Sequence, residues 1–151
     1  MTAGPEDVLG FWFPAELSTD RAEGTRQVDW WFRGGADAQI IARFSPLLER
    51  AARGELDGWS RAPRSRLALI AVLDQFSRTL HRGTAGAFSQ DPKAAALTIE
   101  GLTIGHYAAL GSHWEKLFFA LPLAHSENPA HLDRVVELTE ALIEEGPPEL
   151  R

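Results

Sequence analysis

Residues 67–83 read LALIAVLDQFSRTLHRG. The first seven positions are apolar without interruption, and no proline or glycine occurs before Gly83. That is the signature of a helix buried on all sides rather than an amphipathic one. Asp74, Gln75, Arg78, His81 and Arg82 then follow within nine residues. Burying charge is costly unless it is paired and hydrogen-bonded, so polar groups on a core helix need a local reason. This segment predicts an α-helical core and marks where recognition or chemistry would sit.

Helix signals continue outward in both directions, and strand signals are nearly absent: no alternating β-branched run and no Asn-Gly hairpin turn. Upstream, Ser60 and Pro63 open the central helix, and Trp59 lies in a short connector. Asp37 caps a helix with Ile40, Ile41, Phe44, Leu47, Leu48 and Ala51 at three-and-four spacing, which Gly54 ends. Pro46 either kinks that helix or starts a new one with Ser45 as cap. Gln27–Arg33 forms a helix stopped by Gly34-Gly35, the polar stretch from Leu17 to Thr25 reads as a loop or short turn, and Pro5 opens a first helix stopped by Pro14.

Downstream, Thr84–Gln90 reads as a loop around Phe88. Asp91-Pro92 is a strong start for a helix extending to about Leu110, in which Gly101 and Gly105 allow close approach of a neighbour. Ser112 and Glu115 fit a capping box, followed by a helix that Pro122 interrupts. Asn128-Pro129 starts the last helix and Gly146-Pro147-Pro148 terminates it. The expected architecture is one all-α domain spanning residues 1–151, built of stacked antiparallel helical hairpins.

Composition narrows the function classes. The 151 residues carry a net charge of −6, which argues against a nucleic-acid or anionic-membrane surface, since either needs clustered positive charge. There are no cysteines, so disulfides, thiolate metal sites and cysteine nucleophiles are excluded. The opening residues have no basic n-region followed by a long apolar stretch, and no run approaches the ~20 apolar residues of a membrane span. A cytoplasmic location is the expectation, with no cofactor indicated.

Asp74, Arg78 and Arg82 are spaced four apart and share one side of the central helix. Two adjacent arginines on one face fit an anion between them, either a protein carboxylate or a ligand carboxylate or phosphate. Gln75 is placed to orient Arg78 or to donate to a ligand. The structural alternative is a network in which Asp74 and a second carboxylate neutralise both arginines. A second constellation, His125-Ser126-Glu127, lies between two helices, where binding residues are often displayed. His125 exchanges protons near neutral pH, Glu127 is placed to orient it, and Ser126 is a hydrogen-bonding partner. No nucleophile-elbow glycines surround Ser126. The carboxylates and imidazoles lack the H-E-x-x-H spacing of a metal site, so no metal is expected. Trp30, Trp31 and Phe32 read first as core.

These residues carry a family resemblance. LDQFSRTLHRGTAGAFSQDPKA resembles the L-D-Q-F-P-R-N-x-x-R-G-T-x-x-A-F-x-x-D run of the bacterial family known as domain of unknown function 924. Asp74, Gln75, Phe76, Arg78, Arg82, Gly83, Thr84, Ala87, Phe88 and Asp91 match, while Ser77 and Thr79 replace the usual proline and asparagine. The family's F-x-Y-x-P-x-x-H-S-E-D block is matched by Phe119, Pro122, His125, Ser126 and Glu127, with Asn128 for the usual aspartate. Val8, Leu9, Phe11, Trp12 and Phe13, and Trp30 to Phe32, fit as well, so the resemblance covers most of the chain. It implies a tetratricopeptide-like right-handed superhelix, no established activity, and a cleft where the two polar blocks meet, with Glu127 as a second carboxylate for Arg78 or Arg82. Family members continue into a segment with F-G-R-F-P-H-R-N. The chain stops at Arg151, as a fragment, a truncated form or a shortened paralogue; if it is naturally short, the resemblance implies a protein partner or a second copy that completes the site.

The expectation is therefore an arginine-lined cleft for a small anionic metabolite. Arg78, Arg82, Gln75, Ser126, Trp12 and Trp31 would bind it, and His125, Glu127 and Asp74 would do any catalysis. The alternative is a non-enzymatic helical-repeat adaptor, or a non-catalytic subunit of a two-protein enzyme. Whether the protein is an enzyme stays open at this level.

Overall fold

The computed structural model describes residues 3–14 and 21–145. Among them every regular element is helical: α1 (Pro5–Trp12), α2 (Arg21–Phe32), α3 (Asp37–Ala52), α4 (Pro63–Ala71), α5 (Ser77–Leu80), α6 (Asp91–Thr103), α7 (His113–Ala124) and α8 (Pro129–Glu145). A π-helical turn, Val72–Phe76, joins α4 to α5, so that 63–80 is one unbroken rod. Short 3-10 turns occupy Asp57–Arg61 and Ala85–Phe88 in the connectors.

The rod is the axis of the fold. Leu67 to Leu73 are each at most 1% exposed, which is why this segment shows no polar stripe. α1, α6 and α7 pack around α4, while α3 packs along the π turn and α5. α3 presents Ile40, Phe44, Leu47, Leu48 and Ala51 to the core at the expected spacing. Aromatic rings fill the junction of α1, α2 and α7: Trp12 lies 5.5 Å from both Phe76 and Phe118, and Trp31 lies 4.8 Å from Phe118. Trp31 Nε1–H donates to the Trp12 carbonyl at 2.9 Å, tying α2 to α1. α7 and α8 pack on each other across residues 125–128.

Helices start at or next to the expected positions, at Pro5, Asp37, Pro63, Asp91 and Pro129, but Asp37 and Asp91 are first helical residues and not caps: Ala36 and Gln90 hold the cap positions, and the two carboxylates go to Arg82 and Arg78. Ser112 Oγ accepts from the Glu115 N–H at 3.1 Å, but the Glu115 side chain reaches Arg64 instead of closing the capping box. Other boundaries differ. α2 begins at Arg21, inside the stretch read as loop; arginine, alanine and glutamate are strong helix formers, and polarity there is no bar to a helix. The expected start of this helix is Gln27; the first part of the expected loop, residues 17–20, lies outside the described residues, as does the Gly146-Pro147-Pro148 stop. Pro46 stays inside α3, and Ser45 Oγ donates to the Ile41 carbonyl rather than capping a new helix. Pro122 likewise stays inside α7.

α6 ends at Thr103 rather than near Leu110. Gly105 adopts φ +88°, and the His106 N–H turns back to the Gly101 carbonyl at 2.9 Å, which closes the helix. Gly101 serves close approach as expected: a Cβ there would collide with the Phe119 ring of α7 and lie 2.9 Å from Arg66 Cδ. Arg66 itself is 1% exposed. It donates to the Ser60 and Leu97 carbonyls, to Glu100 and to His106 Nδ1, joining α4, α6 and the following turn.

Candidate functional site

Asp74 sits in the π turn and is fully buried. A π turn contains one more residue than the α-helical path needs, which re-aims side chains and often accompanies a functional site. Asp74 Oδ1 accepts from His125 Nδ1 at 2.8 Å and from Arg78 at 3.3 Å, while Oδ2 accepts from Gln75 Nε2 at 2.8 Å. The carboxylate is an acceptor only, so the His125 proton in this contact is on Nδ1 and Nε2 is the nitrogen left for a ligand. The two polar blocks, 51 residues apart in sequence, therefore meet through Asp74 and His125.

Arg78 is held from both sides. Its guanidinium grips Asp91 with both nitrogens, at 2.9 and 3.1 Å, and also donates to the Asp74 carbonyl at 2.7 Å. The Phe88 ring lies 5.3 Å from the guanidinium carbon, within cation–π range. Arg82 reaches α3 instead of α6 and grips Asp37 at the start of α3, at 2.6 and 3.4 Å, where Thr79 Oγ1 adds a 3.2 Å contact to the same carboxylate. The Asp37 pair raises the Arg82 guanidinium pKa further, chiefly through the hydrogen bond. Asp91 and Asp37 thus take the place expected of Glu127. Glu127 has no hydrogen-bond or ion-pair partner among the described residues, and Asp74 takes over its expected support of His125.

Beside the Asp74–His125 pair opens a pocket of about 440 Å³. Phe88, Asp91, His125, Ser126, Glu127 and His131 are among its walls. Ser126 Oγ accepts from the Asn128 N–H at 3.1 Å and lies 2.8 Å from His131 Nδ1, so its own proton is free to go to that nitrogen. Asn128 Oδ1 accepts from the Ala130 N–H at 2.9 Å and caps α8, work that the family's aspartate would do equally. Ser77, where the family has proline, is buried and donates to the Leu73 carbonyl.

Of the expected site residues, Asp74, Gln75, Arg78 and His125 form one bonded cluster, and His125, Ser126 and Glu127 line the pocket. Arg82 stands apart with Asp37. Trp12 and Trp31 are 2% and 5% exposed and belong to the aromatic core, not the pocket wall. Phe88 and Asp91 join the site beyond the residues the sequence assigns to it, and His131, which with Asp74, His125 and Glu127 is a metal candidate only by residue type, lines the pocket as well. A signal for Asp91 exists in the sequence, since it closes the same family-matched run as Arg78, but its helix-start position offers a sufficient explanation. Among the described residues, no group of three or more His, Asp or Glu side chains is placed to hold a metal ion. No described helix is long and apolar enough to cross a membrane.

Residues 8–151 match the sequence profile of a family described as bacterial protein of unknown function, DUF924. The chain belongs to this family. A solved structure of a protein of unknown function from Agrobacterium tumefaciens is similar to this DUF924 member, with 33% identity and a TM-score of 0.73. The similarity covers 97% of this chain and 76% of that one. No functionally curated protein matches the chain. The two polar blocks therefore belong to a DUF924 chain whose all-helical architecture a solved relative shares.

Chemically, the cluster offers an imidazole oriented by a buried carboxylate at the edge of a cavity. That is the arrangement of a general acid or base.

Proposed function

We propose that this DUF924 member binds a small molecule in the pocket beside His125, and that His125, oriented by Asp74, moves a proton there. The observation that carries this reading is the 2.8 Å contact between a fully buried carboxylate and a partly exposed imidazole on the pocket wall. Bracing the rod against α6 would need only Arg78 and Asp91, which already form a two-point pair. Extending Asp74 to His125 fixes the ring's tautomer, which a purely structural brace does not require. The pocket volume falls in the range of small-molecule sites. Support for anion binding by the arginines is weaker, because both guanidinium forks already hold carboxylates.

The test incubates wild type and His125→Gln with a bacterial metabolite extract and follows depletion by mass spectrometry. Depletion by wild type alone supports the reading. Equal depletion by both, or none by either, sinks the catalytic part.

A second reading as an adaptor draws on Leu132 and Val136, one turn apart on α8 and 40% and 54% exposed. It expects a protein partner whose capture is lost in Leu132→Glu, with the pocket unaffected.

A further inference from the structure

Resting on that reading of the pocket, we infer that its ligand carries a cationic nitrogen, such as a primary ammonium group, next to an apolar or aromatic body. The charge lining the pocket points this way. Asp91 and Glu127 face it, and among the described residues no lysine or arginine is part of its walls. Arg78 is the cation in contact with this cluster, and it is shared between Asp74 and Asp91, so the three together leave a net negative charge before Glu127 is added. Glu127 is exposed and, among the described residues, has no cation of its own. Arg134 borders the adjoining groove with His131, but its guanidinium lies 3.4 Å from Glu137.

The helix starts at the pocket do not reverse this. α6 and α8 both open there, as Asp91-Pro92 and Asn128-Pro129, and helix N-termini ordinarily favour anions. Each proline removes an N–H from that first turn. Asn128 Oδ1 already takes the Ala130 N–H, and the Asp91 carboxylate places a negative charge at the start of α6. An incoming carboxylate or phosphate would find few free donors and two carboxylates. An ammonium group would find Glu127 for charge and Phe88, 59% exposed, for an aromatic wall.

The test uses three probes of one size and different charge: benzylamine, benzyl alcohol and benzoate. Binding is followed through the ring resonances of His125 and His131, in wild type and Glu127→Gln. The expected order is benzylamine tightest and benzoate weakest, and Glu127→Gln weakens benzylamine about two- to fivefold while leaving benzyl alcohol unchanged. Benzoate binding as tightly as benzylamine, or an amine preference untouched by Glu127→Gln, overturns the charge assignment and leaves the pocket reading standing. If no probe moves either ring, both fall.

Discussion

Replacing Arg66 with methionine keeps the aliphatic stem that packs against Gly101 but removes a guanidinium that is 1% exposed. Four acceptors lose a donor: the Ser60 carbonyl at 2.7 Å, the Leu97 carbonyl at 2.8 Å, Glu100 at 2.6 Å and His106 Nδ1 at 2.9 Å. They do not count equally. The Glu100 side chain is 62% exposed and rehydrates, so its share is at most about 1 kcal/mol. Ser60 and Leu97 are half-buried, and the Leu97 carbonyl lies inside α6, where the helix supplies a second donor. The Ser60 carbonyl is therefore the acceptor left unsatisfied, at a cost of about 1–3 kcal/mol, with a smaller share at Leu97. Relief from holding a charge in the interior offsets part of this. The expected loss is about 2–4 kcal/mol, a large share of the ~5–15 kcal/mol stability of a domain. Urea unfolding should show a lower midpoint with an unchanged slope. Glu100→Ala in the same assay should lose less than about 1 kcal/mol. Arg66→Met within about 0.5 kcal/mol of wild type, or Glu100→Ala equally destabilising, would refute the reasoning, because the backbone carbonyls would not be the decisive acceptors.

Arg82→Ala, which breaks a pair whose arginine is 63% exposed, should lower stability by no more than about 1 kcal/mol and leave His125 ring resonances unmoved; a shift in those resonances would place Arg82 in the pocket cluster after all. Gly101→Ala should cost about 1–3 kcal/mol in thermal or urea unfolding, because Phe119 and Arg66 must both move. Burial, and then the Arg66 charge, hold the His106 imidazole below its ordinary pKa. Its stabilising contribution is therefore complete above the unfolded value of about 6.5 and is lost as pH falls below it. His106→Gln keeps an acceptor for Arg66 without a titration, so the stability difference between it and wild type should change between pH 8 and pH 5; a constant difference would exclude the effect.

The helical class was legible because strand and hairpin signals are nearly absent and caps and breakers recur at helical spacing, so the polar-free run at residues 67–73 reads as a helix surrounded on all sides and not as a buried strand. Starts were legible where proline or a capping side chain announces them. The end of α6 was not, because Ile104, Tyr107 and Leu110 continue a helical pattern that Gly105 breaks through backbone geometry, and the apolar spacing gives no sign of that break. The expected pairing of the arginines with carboxylates was sound as a structural alternative, but the partners were not assigned. Asp37 is 45 residues from Arg82, and helix spacing along one segment says nothing about which other helix lies opposite. Arg66 escaped notice because its charge stands before the apolar run, where an exposed first turn was the ordinary expectation. The encounter of Asp74 with His125 was foreseen only as far as two polar blocks sharing a cleft.

The π turn has a consequence for how this segment can vary. It holds one residue beyond the regular α-helical path. Deleting a single residue between Val72 and Phe76 would let the rod close into an ordinary helix with the flanking halves still in register. The apolar half before the turn would stay seated among α1, α6 and α7, and Arg78 and Arg82 would keep Asp91 and Asp37, while the re-aimed Asp74 carboxylate would lose its approach to His125. In this stretch the extra residue serves the Asp74–His125 contact and not the packing, so a one-residue gap would spare the fold and remove the contact.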